Sequence, residues 1–312
     1  MTLAWVTGAG GMLGSELVAS LRARGWEVLA TNHDVDICDR SALVSALRGR
    51  RPRCVFNAAA YTAVDLAESE PERAFATNAE GAGVVAELAR ELAADLVHVS
   101  TDYVFEGPFG VPLREDAPTA PRGVYARSKR LGEERVLATA DDAHRVLVVR
   151  TSWTFGANPR SFVGRMLSLM ATRETLDVVV DQHGRPTSVD DLADVLVELG
   201  VGGLSRLATG IYHFASPGVT TWHGFATAIH AAALRYGLPL ATTTLRAVTS
   251  ADFPRPAPRP SWSVLDCTTL EDALATIGKV PRPWQAVLDD LIAGLVQAAS
   301  EAAPVAPPWL RR

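Results

Sequence analysis

The chain has little of what marks several protein classes. Its 312 residues include three cysteines, Cys38, Cys54 and Cys267, too few and too scattered for a disulfide framework or a CxxC metal site. They read as small buried hydrophobes in a reducing compartment. A cationic excess is missing too. The 30 Lys and Arg stand against 35 Asp and Glu, a net charge of −5, which argues against a nucleic-acid protein held by a basic face. No segment approaches the roughly 18 uninterrupted apolar residues of a membrane helix. The start, Met1 to Gly8, lacks the basic residues that open a secretory signal. These absences point to a soluble, cytoplasmic protein without membrane or nucleic-acid partners. There is no fixed-period repeat, which sets aside solenoids and propellers. What is present is globular in balance: 48% hydrophobic and 21% charged residues, enough to exclude wholesale disorder and to fill one large or two moderate domains.

Through the first half, short apolar runs alternate with amphipathic stretches. Leu3–Val6, Glu27–Thr31, Cys54–Asn57, Leu96–Ser100 and Arg145–Arg150 read as buried strands bounded by polar or turn residues. Leu13–Ala23, Ser41–Leu47, Pro71–Ala93 and Ser128–Ala138 carry helical spacing between them. This alternation predicts an α/β fold, a Rossmann-type doubly wound parallel sheet built from right-handed βαβ units. Further on, Phe162–Thr172 and Thr221–Tyr236 read as helices, Ile211–Phe214 as a strand, and Val189–Leu199 as a helix capped by Ser188. Residues 253–260, FPRPAPRP, are too proline-rich for a regular element, and the Pro/Ala-rich Pro304–Arg312 is expected to fray. The expected division is a dinucleotide-binding domain over 1–152, joined in part by 175–216, and a smaller, irregular C-terminal substrate lobe over 153–312, interleaved with it.

Directly after the first strand comes Gly8-Ala9-Gly10-Gly11-Met12-Leu13-Gly14, opening a helix. Glycine suits a sharp turn there, a close approach of main-chain N–H groups to a pyrophosphate, and tight helix–sheet packing; the helix N-terminus adds partial positive charge. An ordinary glycine-rich βα turn is the bland alternative. No GxxxxGK[ST] follows, so a P-loop is disfavoured. At the end of the second strand, near Thr31-Asn32, there is neither an acid to grip an adenosine ribose nor an arginine to hold a 2′-phosphate; Asp34 and Asp36 come later. The sequence leaves the choice between NADH and NADPH open.

The fourth strand runs into Val99-Ser100-Thr101-Asp102-Tyr103-Val104-Phe105, and Tyr125-Ala126-Arg127-Ser128-Lys129 follows on a predicted helix. The i, i+4 spacing puts phenol and ammonium on one face. A nearby cation favours phenolate, so Lys129, with an oxidised nicotinamide, is expected to bring Tyr125 down from about 10 toward working pH. A ketone being reduced needs such a group to protonate its oxygen. Alone, YxxxK is most often a solvated helix face. In the order glycine loop, hydroxyl residue at a strand end, then YxxxK, the set resembles the short-chain dehydrogenase/reductase superfamily.

Longer strings resemble one branch, the dTDP-4-dehydrorhamnose reductase family. They are Asn57 to Asp65 with Glu68-Ser69-Glu70, His98 to Phe105, Arg150-Thr151-Ser152-Trp153, Asp181-Gln182 with Gly184, Pro186-Thr187 and Asp191-Leu192-Ala193, and Arg259-Pro260 with Ser263. The resemblance spans nearly the whole chain. It implies an NAD(P)H-dependent 4-ketoreductase acting on a dTDP-sugar. Gly8, Gly11, Met12, Leu13 and Gly14 would meet the pyrophosphate, Asp36 and Ile37 the adenine, and Ala58, Ala59, Ala60 and Val99 the cofactor trench. Tyr125 would donate the proton, Lys129 would hold the nicotinamide ribose, and Thr101 would bond the ketone oxygen. Asp102 and Trp153 would contact the sugar. Structural alternatives stand beside these: Trp153 as core, Asp102 as a turn cap, Asn78 as a loop brace, and His98 as a packed side chain.

Glu16 matches an acid that helps hold Mg2+ between subunits in some relatives. It has no evident acidic partners in the sequence and reads as an exposed helix residue, so Mg2+ is unsupported. A homodimer is compatible with the resemblance. Two departures bear on specificity: the missing basic residue after the second strand, and Pro159 within Gly156–Arg160, where a flexible loop is expected to touch the hexose. The same chemistry on another nucleotide-activated ketosugar of a secondary-metabolite pathway is the alternative. A non-catalytic regulatory subunit, as one branch resembling this family is for methionine adenosyltransferase, would show an eroded catalytic set, and none of this set is eroded.

Overall fold

A computed structural model describes residues 2–301. Five strands alternate with helices in the first half: β1 (Leu3–Thr7), β2 (Glu27–Thr31), β3 (Cys54–Asn57), β4 (Asp95–Thr101) and β5 (Val146–Thr151). With Gly210–His213 they form a six-stranded sheet in the order Gly210–His213, β5, β4, β3, β1, β2, every pairing parallel. A parallel sheet covered by helices on both faces must be apolar throughout, and β1, β3 and β5 are buried at every position. The chain reverses its direction of travel across the sheet between β1 and β3. A crevice therefore opens beyond the carboxyl ends of those two strands.

The ends of β1 and β3 are tied to the middle of β4 beside that crevice. Thr7 Oγ1 donates to Asn57 Oδ1 at 2.7 Å, and Asn57 Nδ2 lies 3.0 Å from His98 Nδ1. All three residues are buried, and burial holds the His98 imidazole well below its usual range, so it stays neutral. His98 is a packing and bracing group, in line with the alternative weighed for it.

Helix α1 (Met12–Ala23) packs Leu17, Val18 and Leu21 under the sheet, against the Val189–Gly200 helix. On the other face Arg40–Leu47, Ala82–Glu91 and Gly123–Leu137 cover β1, β3 and β4. The predicted single helix over Pro71–Ala93 is in fact three pieces. Pro71–Phe75 and Ala82–Glu91 are α-helical, and Ala76–Gly81 between them is a π-helical segment. The wide turn lets Asn78 face inward, where its amide bonds the Tyr61 N–H and carbonyl and the Ser128 hydroxyl. Asn78 is a brace.

The C-terminal half is more regular than its sequence suggests. Thr175–Val179 and Thr244–Val248 form a parallel pair, and the helices Phe162–Met170, Trp222–Arg235 and Trp284–Glu301 enclose a second core around Phe155, Met166, Phe225, Ile229, Trp284 and Ile292. The strand pair and the helices Thr268–Ala275 and Trp284–Glu301 have no counterpart in the sequence reading. The expectation for Pro304–Arg312 lies outside the described residues. Among the described residues, no helix is long and apolar enough to cross a membrane.

Candidate active site

The glycine loop turns at Gly8, whose φ of +67° falls in the left-handed region glycine tolerates. A Cβ there would lie 2.6 Å from the main-chain N of Ala59, and one on Gly14 would lie 2.1 Å from the Gly8 carbonyl oxygen. The loop is thus pressed against the end of β3 and folded onto its own helix, with no room for side chains. Gly11 takes the N-cap position of α1 and supplies no side-chain cap. The first N–H groups of the helix are left facing the crevice with the partial positive charge of the helix terminus.

A cavity of about 400 Å³ occupies this crevice. Its walls include Gly11, Met12, Leu13 and Gly14 at the start of α1, Ala58 and Ala60 after β3, Val99 in β4, and Thr101, Asp102, Tyr125, Lys129 and Trp153 beyond them. These side chains and main-chain groups lie far apart in sequence and converge on one wall. A glycine turn with uncapped N–H groups and small alanines across from it fits a dinucleotide.

Four of the expected cofactor residues are not on this wall. Gly8 and Ala59 lie behind it, packed on each other. Ile37 is buried in the core with its side chain against Gly81, and the Asp36 carboxylate accepts from the N–H of Cys38. Asn32 lies against Gly10, where a Cβ would meet its amide at 2.2 Å, so Asn32 supports the loop.

Tyr125 and Lys129 stand one turn apart on the Gly123–Leu137 helix, and Thr101 closes β4 opposite them. Lys129 is buried and donates to the Val99 carbonyl at 2.7 Å. Burial pulls its ammonium down to about 8, and the nearby Glu133 charge pushes back. Burial pushes the Tyr125 phenol up to about 12; the Thr101 hydroxyl lowers it and the Asp102 charge raises it. Desolvation of the phenolate dominates the chain's own contribution; the expected fall toward working pH combines Lys129 with an oxidised nicotinamide, which this shift does not include. The protein's own groups therefore keep Tyr125 protonated.

Trp153 is buried, with a φ of +47° uncommon for a bulky residue. Its indole stacks on Trp222 at 3.7 Å and 7°, and a Cβ on Gly184 would come within 2.5 Å of it. The cavity shares Tyr103 and Trp222 with a second one of about 530 Å³. Arg160, Arg165, Arg255 and Arg259 line the second cavity with Phe162 and Phe253. Arg259 pairs with Asp65 at 2.5 Å, while Arg160 and Arg165 form no ion pair among the described residues. Sequence reading missed Tyr103, Trp222 and these arginines apart from Arg160 and Arg259. The available signal was the FPRPAPRP segment, whose rigid turns carry Phe253, Arg255 and Arg259 into this wall.

Glu16 is half-buried, not exposed, and burial with the Asp190 charge raises its carboxyl. Arg282 already neutralises Asp191 and Asp290, at 3.0 and 2.9 Å, and no group of three or more potential ligands gathers among the described residues.

A protein-family model described as the RmlD substrate binding domain matches residues 1–297. The dTDP-4-dehydrorhamnose reductase of Streptomyces griseus is 43% identical over 302 residues, 96% of each chain. A probable dTDP-4,6-dihydroxy-2-methyloxan-3-one 4-ketoreductase of Streptomyces antibioticus is 40% identical over 94% of this chain and 95% of its own. The crystal structure of a dTDP-4-dehydrorhamnose reductase from Bacillus anthracis in complex with NADP superposes with a TM-score of 0.84 at 31% identity, covering 94% of this chain and 100% of that one. With agreement of this extent in both sequence and fold, the chain belongs to the dTDP-4-dehydrorhamnose reductase family.

Proposed function

We propose that this enzyme reduces the C4 ketone of dTDP-4-dehydro-L-rhamnose to dTDP-L-rhamnose with NADPH or NADH. The observation that carries the proposal is the convergence of Thr101, Tyr125 and Lys129 on a cavity walled on one side by the glycine loop and adjoining an arginine-lined cavity that shares Tyr103 and Trp222 with it. Gly11, Met12, Leu13 and Gly14 would cradle the pyrophosphate, Ala58, Ala60 and Val99 the trench, and Lys129 the ribose. Bound there, the reduced nicotinamide supplies the hydride that adds to C4.

The remaining chemistry belongs to the chain. Tyr125, held protonated by burial, donates its phenolic proton to the ketone oxygen as that oxygen becomes an alkoxide. Thr101 donates a hydrogen bond to the same oxygen. Lys129 holds a positive charge beside the phenolate that results and limits the cost of forming it. Trp153 offers the hexose an apolar face, kept flat by its stack on Trp222. The nucleotide half occupies the second cavity in the lobe over 153–312. There Arg160 and Arg165 meet the diphosphate and Phe253 or Phe162 the base, so that remote binding energy places the sugar. The same reading makes the enzyme cytoplasmic and, as an assembly, a homodimer that sedimentation would detect.

The test is Tyr125→Phe. Turnover falls about a hundredfold or more, as for loss of a general acid, while cofactor affinity by fluorescence titration stays within about twofold. Full activity in that variant would remove Tyr125 from the chemistry and the proposal with it. A second reading, another nucleotide-activated ketosugar, is favoured by Pro159, whose main chain packs against Gly164 and stiffens the loop expected at the hexose. It is also favoured by the similarity to the ketoreductase of Streptomyces antibioticus. A screen of dTDP-ketosugars separates the two by kcat/KM.

A further inference from the structure

Thr101 has one hydroxyl proton and four neighbours competing for it or for its lone pairs, the Tyr125 phenol among them. The N–H of Tyr103 donates to its oxygen at 3.2 Å, the Asp102 carboxyl Oδ1 lies at 3.1 Å, and the cavity lies on the remaining side. If Asp102 is a carboxylate, it can only accept. The Thr101 proton then points at Oδ1, and the hydroxyl presents lone pairs to a ketone oxygen that needs a donor. If Asp102 is a neutral acid with its proton on Oδ1, it donates to Thr101, whose own proton is free to point into the cavity. Ser263 decides which carboxyl oxygen carries the proton. Its hydroxyl lies 2.5 Å from Asp102 Oδ2 and only 3.4 Å from the His183 carbonyl, so it donates to Oδ2 and leaves Oδ1 for the acid proton.

We propose that Asp102 works as a neutral carboxylic acid, a positioning residue that turns the Thr101 hydroxyl toward the substrate ketone in a one-directional chain from Ser263 through Asp102 to Thr101. The inference rests on the reading of Thr101 as the group that bonds the ketone oxygen. No proton is consumed along the chain; it sets only which way each hydroxyl points.

The surroundings favour the neutral form. Asp102 is 2% exposed, and among the described residues no cation pairs with it. From its own segment it meets Thr101 and the N–H groups of Asp102 and Tyr103. From the Gly123–Leu137 helix it meets the Tyr125 phenol, and from the C-terminal lobe the Ser263 hydroxyl. Its charge raises both the Tyr103 and the Tyr125 phenols. Arg259, on the lobe side, is engaged by Asp65 and Tyr103. His183 lends Ser263 its main-chain carbonyl while its ring packs on Phe109 and Trp262. Burial outweighs the donors and pushes the Asp102 carboxyl up to about 7.

The active form is the protonated one, so activity is full below about pH 7 and falls as pH rises through that value. In Asp102→Asn the amide, fixed by Ser263 at its oxygen, donates to Thr101 at every pH. The limb near 7 then disappears and only the Lys129 limb near 8 is left. Asp102→Ala, with no donor, turns over about tenfold or more slower than Asp102→Asn. Ser263→Ala withdraws a donor that favours the carboxylate, so its alkaline limb moves up in pH. Infrared difference spectra of the protein between about pH 5 and about pH 9 give a readout independent of turnover. A buried protonated-carboxyl band is lost on raising the pH in wild type and is absent from the Asp102→Asn difference. A wild-type enzyme that turns over normally while Asp102→Asn keeps the wild-type limb, or matches Asp102→Ala, overturns the inference without touching the proposed reaction. So does a missing carboxyl band. A wild type that reduces no ketosugar yet shows the band would instead overturn the reaction.

Discussion

At the scale of single residues, the site is made of side chains whose positions are over-determined by neighbours. Trp153 keeps a left-handed backbone conformation, which for a bulky residue costs on the order of 1–3 kcal/mol, because Trp222 covers one indole face and the bare Cα of Gly184 receives its edge. Adding one methyl in Gly184→Ala forces the indole out of the stack. KM for the dTDP-sugar is expected to rise about tenfold while cofactor affinity is unchanged, a split that steady-state kinetics and fluorescence titration read separately. Arg165 faces the second cavity without an ion-pair partner among the described residues. Its replacement by Ala removes a charge-assisted bond of about 1.5–3 kcal/mol and raises KM about tenfold or more, with kcat little changed. An unchanged KM would exclude the diphosphate from that cavity. Below Lys129, Glu133 is fully buried and holds Arg150 through two bonds of 2.8 Å, with Ser100 at 2.6 Å. Glu133→Gln leaves the Arg150 charge uncompensated and costs about 3–5 kcal/mol of stability in urea unfolding. It also lets Lys129, deprived of the charge that holds it up, titrate below about 8.

At the scale of elements, the glycine loop was legible because its requirements are local. A sharp turn, a close packing point and an uncapped helix start are all encoded within Gly8 to Gly14. Gly14→Ala places a methyl 2.1 Å from the Gly8 carbonyl, and the loop must open. Cofactor affinity is expected to drop by about tenfold or more, measured by nicotinamide fluorescence, with the YxxxK helix undisturbed. Elements whose ends are set from a distance were harder to read. Helical spacing alone marked Ser128–Ala138, and only the YxxxK motif carried the helix back to Tyr125; it begins at Gly123, at a φ of +75°, where Glu68 accepts the Val124 N–H at 2.7 Å from far along the chain. The wide turn at Ala76–Gly81 was equally invisible, since it exists to aim Asn78 at Tyr61 and Ser128. Tyr125 was placed correctly on the helix; spacing shows the neighbouring cation but not the depth of burial that raises the phenol in the chain alone.

At the scale of the whole molecule, the parallel sheet was legible from alternation of short apolar runs and helices, since a strand buried on both faces cannot disguise its composition. The lobe was not. Its strands Thr175–Val179 and Thr244–Val248 are largely exposed or half-buried and pair only with each other, and Arg185 links their half to the sheet by bonding the carbonyls of Ala215, Ser216 and Leu265 and the Glu271 carboxylate. Such long-range ties leave no periodic trace. They set the arginine-bearing wall beside the crevice, the two cavities sharing Tyr103 and Trp222, and the proposed function makes of them one path from glycine loop to nucleotide. The central claim is that this path serves one reaction. It is tested by following oxidation of NADPH and NADH in parallel, with dTDP-4-dehydro-L-rhamnose generated in the same vessel. The account predicts rapid oxidation of at least one cofactor with dTDP-L-rhamnose as product, and a rate lowered about a hundredfold or more in Tyr125→Phe. Protein that binds the cofactor yet oxidises neither in the presence of that sugar would contradict it.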